Sequence, residues 1–203
     1  MAATFTRARG GRVKVRLGDA DRGVVAGLLE AVADLLEPAS APEETPDADA
    51  AVPPAAPDED ALFARLEADL VVEPPADPAV ARLLPDASRD DPELAQSFRR
   101  LTEDDLRERK RGALATAAGA LRRPAPVVLD DSEAQALLKG LTDVRLVLAQ
   151  RLGIETDEDA EFLHAALAAG GRGGTQEWAK AAELYEVVTY LQEELVHTLL
   201  PSR

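Results

Sequence analysis

The chain has 203 residues, no cysteine, and 38 acidic against 23 basic residues, for a formal charge of −15. Lacking thiols, it has no disulfide, zinc–thiolate site or thiol switch, and its charge repels phosphate backbones, so direct nucleic-acid binding is not expected. Aromatic residues are only 3% of the chain, so a core must be built from Leu, Val and Ala, a composition that favours helices.

In chain order, residues 4–17 read as a β-hairpin, with Val13, Val15 and Leu17 alternating with Lys14 and Arg16 and Gly10-Gly11 as a two-residue turn. Asp19 or Asp21 caps a helix to residue 36 whose apolar stripe is Val24, Val25, Leu28, Leu29, Val32, Leu35 and Leu36. The stretch 38–58 is rich in proline, acids and alanine, and is expected to be a flexible acidic surface loop within the domain. Helical patterning resumes at 60–70 and at 77–84, where Asp77-Pro78 supplies a cap and a first-turn proline.

Asp91-Pro92 repeats that signal before a helix at 93–100, and Thr102-Glu-Asp-Asp105 resembles a capping box opening a second helix to 121. Pro124 and Pro126 break the pattern. Asp131-Ser132 opens a helix over 133–152, which Gly153 ends. Thr156 caps 157–169, the glycines of 170–174 form a connector, and Thr175 caps a last helix to about residue 200. The expected fold is mainly α: a compact helical bundle, one domain over 1–203, with the hairpin at 1–18 packed on it.

Candidate sites are few. Arg145 falls inside the stripe Leu137, Leu138, Leu141, Val144, Leu148 and Leu152, and a buried guanidinium needs a carboxylate. Asp86, Asp90 and Asp91, with Arg89 among them, are the expected partners, in a structural ion-pair cluster or, alternatively, a ligand pocket. The front segment carries Arg7, Arg9, Arg12, Lys14 and Arg16 without an acid, which suits either a partner surface or a charge-protected sheet edge. Trp178, Tyr185, Val188 and Leu195 share one face of the last helix, which is either core or the seam of a homodimer.

The acids match no calcium loop, and His164 and His197 stand without ligand spacing or a nucleophile to activate. No catalytic, metal or cofactor site is therefore expected, and the chain is read as no enzyme. The first residues lack the apolar core of a signal peptide and no apolar run reaches the length of a membrane span, so a cytoplasmic address is expected.

The segments beginning Arg82-Leu-Leu-Pro-Asp-Ala-Ser-Arg-Asp-Asp-Pro-Glu, Phe98-Arg-Arg-Leu-Thr-Glu-Asp-Asp and Leu141-Thr-Asp-Val-Arg-Leu-Val-Leu, with residues 5–17, carry a family likeness. They resemble an actinobacterial family catalogued as a domain of unknown function, encoded beside the ClpS proteolytic adaptor and including AosR-type oxidative-stress regulators. The resemblance implies a non-enzymatic regulatory protein acting through protein contacts, with transcription machinery or a stress sigma factor as partner. AosR-type members sense oxidation through a cysteine pair; this chain has none, so only a constitutive protein-binding role carries over. The alternatives are an accessory of ClpS-dependent Clp proteolysis and a helical protein that binds a small ligand.

Overall fold

Val13 and Val15 are buried while Lys14 between them faces water, the period-two pattern of a half-buried strand, and Phe5 is buried opposite Val15. In the computed structural model, which describes residues 4–38, 75–88, 90–168 and 175–200, β1 (Phe5–Arg7) pairs antiparallel with β2 (Val13–Val15), Phe5 opposite Val15. The connection is longer than the expected two-residue turn. A 3-10 turn at Arg9–Gly11 joins the strands, with Gly10 and Gly11 at φ +74° and +77°, a left-handed backbone that strains residues bearing a Cβ.

The other edge of β2 pairs with β3 (Val128–Leu129), Val13 opposite Leu129, completing a three-stranded antiparallel sheet. Two residues are too few for alternation to register in a sequence, so this strand was not expected.

Six helices are found among the described residues, and the fold is mainly α. Helix α1 (Asp19–Leu35) has Gly18 at its N-cap, so Asp19 and Asp21 lie in the first turn, where they oppose the positive end of the helix dipole, and do not cap. Its inward stripe is Val25, Ala26, Leu29, Val32 and Leu36; Val24 points outward. Helix α2 (Pro78–Leu83) is capped by Asp77, whose carboxylate accepts from the Ala79 amide at 2.8 Å.

Helix α3 (Pro92–Arg122) runs unbroken for 31 residues where two helices were expected. Asp91 caps it, and the Thr102 hydroxyl donates back to the Phe98 carbonyl at 2.8 Å, so Thr102 satisfies a helical carbonyl and opens no new helix.

Helix α4 (Asp131–Leu152) starts with a reciprocal capping box. The Glu133 amide donates to Asp130 at 2.9 Å, and the Asp130 amide donates to Glu133 at 3.0 Å. Gly153, at φ +75°, ends it in the left-handed conformation. Thr156 accepts from the Asp159 amide at the start of α5 (Asp157–Ala168), and Thr175 accepts from the Trp178 amide at the start of α6 (Gln176–Leu199).

Helices α1, α3 and α6 pack around α4. Leu29, Leu114, Leu121, Leu137, Leu141 and Leu195 are the large, fully buried side chains between them, and the sheet covers one end through Phe5, Val13 and Leu129. A smaller cluster of Ala149, Ile154, Leu163, Ala182 and Tyr185 joins α5 to the bundle. Gly140 lies where α4 meets α1 and α3: a Cβ there would stand 2.6 Å from Leu29 Cδ2 and 3.5 Å from Leu114 Cδ2. The expected loop from residue 39 onward, the helical pattern at 60–70 and the glycines 170–174 lie outside the described residues.

Candidate functional site

The arginine–aspartate cluster forms around a different arginine from the one expected. Arg145 is only half-buried on α4, and Asp86 bonds Arg99 of α3 instead. Asp90 is exposed, Asp91 is the α3 cap, and Arg89 lies outside the described residues. On α4 the buried ionisable side chain is Asp143, 4% exposed, held by Lys110 of α3 at 2.6 Å. The signal was present: Asp143 lies in phase with Ala136, Gly140 and Val147, a second buried stripe made of smaller residues.

Arg99 is 8% exposed and donates to Asp86 and to Glu103, both at 2.5 Å. Glu103 also accepts from Arg107 at 2.6 Å, and Arg107 reaches the Leu36 carbonyl at the end of α1 at 3.3 Å. Two arginines and two acids thus form a neutral chain that ties α3 to the segment after α2 and to the end of α1. Burial by itself lowers the Arg99 pKa, but the carboxylates of Asp86 and Glu103 outweigh it and the net direction is upward.

Between Arg99 and the first turn α3 has little apolar contact, so this chain positions its N-terminal half. Arg99→Ala is expected to cost about 1–2 kcal/mol, since Glu103 keeps Arg107 and Asp86 is half-exposed. The expected signature is local: amide exchange should accelerate over residues 92–103 and stay unchanged at Leu114. Uniform acceleration along α3 would refute the local role.

The same helix carries an apolar ridge. Leu94, Phe98 and Leu101 are 47%, 48% and 80% exposed, and their spacing of four and three puts them on one face of α3. Exposed apolar side chains are ordinary singly, but a run along one helix face marks an interaction surface. Phe98, Thr102 and Leu106 also line a small cleft against Leu84 and Pro85. Leu106 then continues into a groove of about 360 Å³ between α3 and α4, walled by Arg109, Lys110, Lys139, Thr142 and Asp143. Cleft and groove share Leu106 as a common wall.

The other sequence candidates fall elsewhere. Arg7 donates to the carbonyls of Thr198, Leu199 and Leu200 at 2.7–2.8 Å, satisfying the open end of α6. Arg12 donates to the Arg9 carbonyl, and Arg9, Lys14 and Arg16 are exposed on the sheet side. Tyr185 and Trp178 pack in the α5 cluster, while Val188 and Leu195 are in the main core, so all four have partners within the chain. His164 of α5 pairs with Glu186 of α6 at 2.6 Å on the surface; the hydrogen bond, then the charge of Glu186, raise the imidazole pKa.

Sequence reasoning missed Arg22, 6% exposed, although it lies three and seven residues before Val25 and Leu29, in the phase of the buried stripe. Among the described residues no group of three or more His, Asp or Glu side chains is placed to hold a metal ion, and no helix is long and apolar enough to cross a membrane.

A family model described as Domain of unknown function (DUF2017) matches residues 1–199. No curated protein and no solved structure matches the chain.

Proposed function

The chain belongs to the DUF2017 family, and we propose that it serves there as a non-enzymatic regulatory protein that grips a protein partner through α3. The observation that carries this reading is the exposed row Leu94, Phe98 and Leu101 on the same helix as the Arg99–Asp86 and Arg99–Glu103 pairs. Leaving three large apolar side chains in water on one helix face has a solvation cost that a partner's cover would remove. The likeness to AosR-type regulators supports transcription machinery or a stress sigma factor as that partner. With no cysteine in the chain, contact with it is constitutive.

The test is crosslinked affinity purification from the native host, with and without oxidative stress, using wild type and the variant Leu94→Asp/Phe98→Asp. Polymerase or sigma-factor subunits should co-purify with wild type under both conditions and be lost from the variant, whose circular dichroism should be unchanged. Both substituted side chains are about half-buried, so their direct cost to folding is expected to be about 2 kcal/mol together, which the circular dichroism and a urea titration of the variant check. Recovery of ClpS or protease subunits would move the protein to regulated proteolysis. Equal recovery by the variant would sink the role of α3.

A further inference from the structure

We infer that the groove between α3 and α4 binds an acidic segment of a partner protein, with carboxylates on Arg109 and Lys139 and an apolar side chain on Leu106. The inference rests on the protein-binding reading above and adds the chemistry of the occupant. It starts from charge. The chain has only four lysines against 38 acidic residues, yet two of the four, Lys110 and Lys139, wall this one groove together with Arg109. The acid lining it is Asp143, which Lys110 already neutralises at 2.6 Å with both groups largely out of water.

Arg109 and Lys139 are exposed at the rim, and neither forms a salt bridge with a carboxylate among the described residues. Arg109 and Lys139, which flank the apolar Leu106 and have no ion-pair partner among the described residues, offer two cations to an anionic group. Asp105 and Glu108 of α3 are also exposed, but the groove lining includes neither of them.

The shape narrows the class. Leu106 is shared between the basic groove and the apolar cleft of Phe98 and Thr102, so an occupant running along α3 meets an apolar floor and then two cations. A peptide with an apolar side chain one or two turns from its carboxylates fits that order. A nucleic-acid backbone does not, because it would bring a run of phosphates onto a chain of net charge −15.

The probe is a synthetic amphipathic peptide with leucines on one face and glutamates on the other, set against a counterpart in which lysine replaces every glutamate. The glutamate peptide should shift the amide resonances of Leu106, Arg109, Lys139 and Thr142 in the full chain, and the lysine peptide should not. Arg109→Glu/Lys139→Glu should weaken binding by about tenfold or more, with Arg109→Gln/Lys139→Gln as a milder variant that loses part of the affinity and guards against misfolding. No shift in the groove, equal binding of both peptides, or unchanged affinity in the reversed variant would overturn the inference. Inorganic phosphate or single-stranded RNA producing the same shifts while the glutamate peptide does not would also overturn it.

The two readings fail separately. If the charge-reversed variant still co-purifies the cellular partner while Leu94→Asp/Phe98→Asp does not, the groove inference falls and the protein-binding reading stands.

Discussion

Replacing Arg22 by methionine is expected to lower stability by about 3 kcal/mol, because three carbonyls would lose their donor at once. The guanidinium donates to the Leu121 carbonyl at 3.1 Å, to Leu17 at 3.3 Å and to Arg123 at 3.2 Å. Leu121 and Arg123 close the C-terminal end of α3, where helical carbonyls have no partner of their own, and Leu17 belongs to the link between sheet and α1. One side chain therefore joins the sheet, α1 and the end of α3.

Methionine keeps the apolar stem and removes the guanidinium head, so the loss reports mainly the hydrogen bonds, with a smaller share from the space the head filled. Water reaches the exposed Arg123 side of the site, which keeps the cost below three full desolvation penalties. For a chain of this length the expected fall in melting temperature is roughly 10 °C. Asp19 pairs with Arg22 at 3.0 Å but its side chain is 84% exposed, so Asp19→Ala should change stability by less than about 0.5 kcal/mol. A urea titration of both variants checks the claim; Arg22→Met within about 0.5 kcal/mol of wild type would show the carbonyls are satisfied otherwise.

Gly140→Leu is expected to cost about 3 kcal/mol by overpacking the crossing of α1, α3 and α4. Its Cβ alone would meet Leu29 Cδ2 at 2.6 Å, with Leu114 Cδ2 and Ala117 Cβ at 3.5 and 3.9 Å behind it. Gly140→Ala is the informative control. Alanine gains about 1 kcal/mol of helix propensity over glycine, and the single close contact is with the rotatable tip of a leucine. Propensity and clash should therefore nearly cancel, leaving alanine within about 1 kcal/mol of wild type.

For leucine the added carbons have no free direction, since Leu29 and Leu114 are both fully buried. The helices must separate or Leu29 must leave its rotamer. Thermal unfolding of the two variants separates these outcomes: a leucine variant as stable as wild type would mean that the crossing is loosely packed.

Most of the helix ends were legible from residues a few positions apart. Asp77, Asp91, Thr156 and Thr175 cap where capping chemistry places them, and Gly153 ends α4 in the left-handed conformation. These signals are local: a cap and its amide are two or three residues apart, so sequence neighbours are also neighbours in space. The same logic misled at Thr102, where a capping pattern lies inside one continuous helix. There Arg99, Glu103 and Arg107 form an i, i+4 ladder across the supposed break, and the hydroxyl turns back to Phe98.

The candidate site was only partly legible. Asp86 was singled out as an acid awaiting an arginine, but its partner proved to be Arg99, 13 residues away, and not Arg145. Arg145 looked buried because it interrupts an apolar run, yet α4 is surrounded on several faces, and the face that matters for a charge is the one carrying Asp143 toward Lys110. In the basic front segment Arg7 is spent on the last carbonyls of α6, while Arg9, Lys14 and Arg16 are exposed.

By itself the sequence determined a mainly α chain without thiol chemistry, with helix ends set by capping residues and a short glycine-turned hairpin at the front. Only the tertiary structure decided which charges are buried, which arginine meets which acid, that a two-residue strand completes the sheet, and that Leu94, Phe98 and Leu101 are left in water. The reason is range. Helix caps and periodicity act within about four residues, whereas Arg22 meets Leu121 across 99 positions and Lys110 meets Asp143 across 33; no pattern along the chain encodes those distances until the helices have packed.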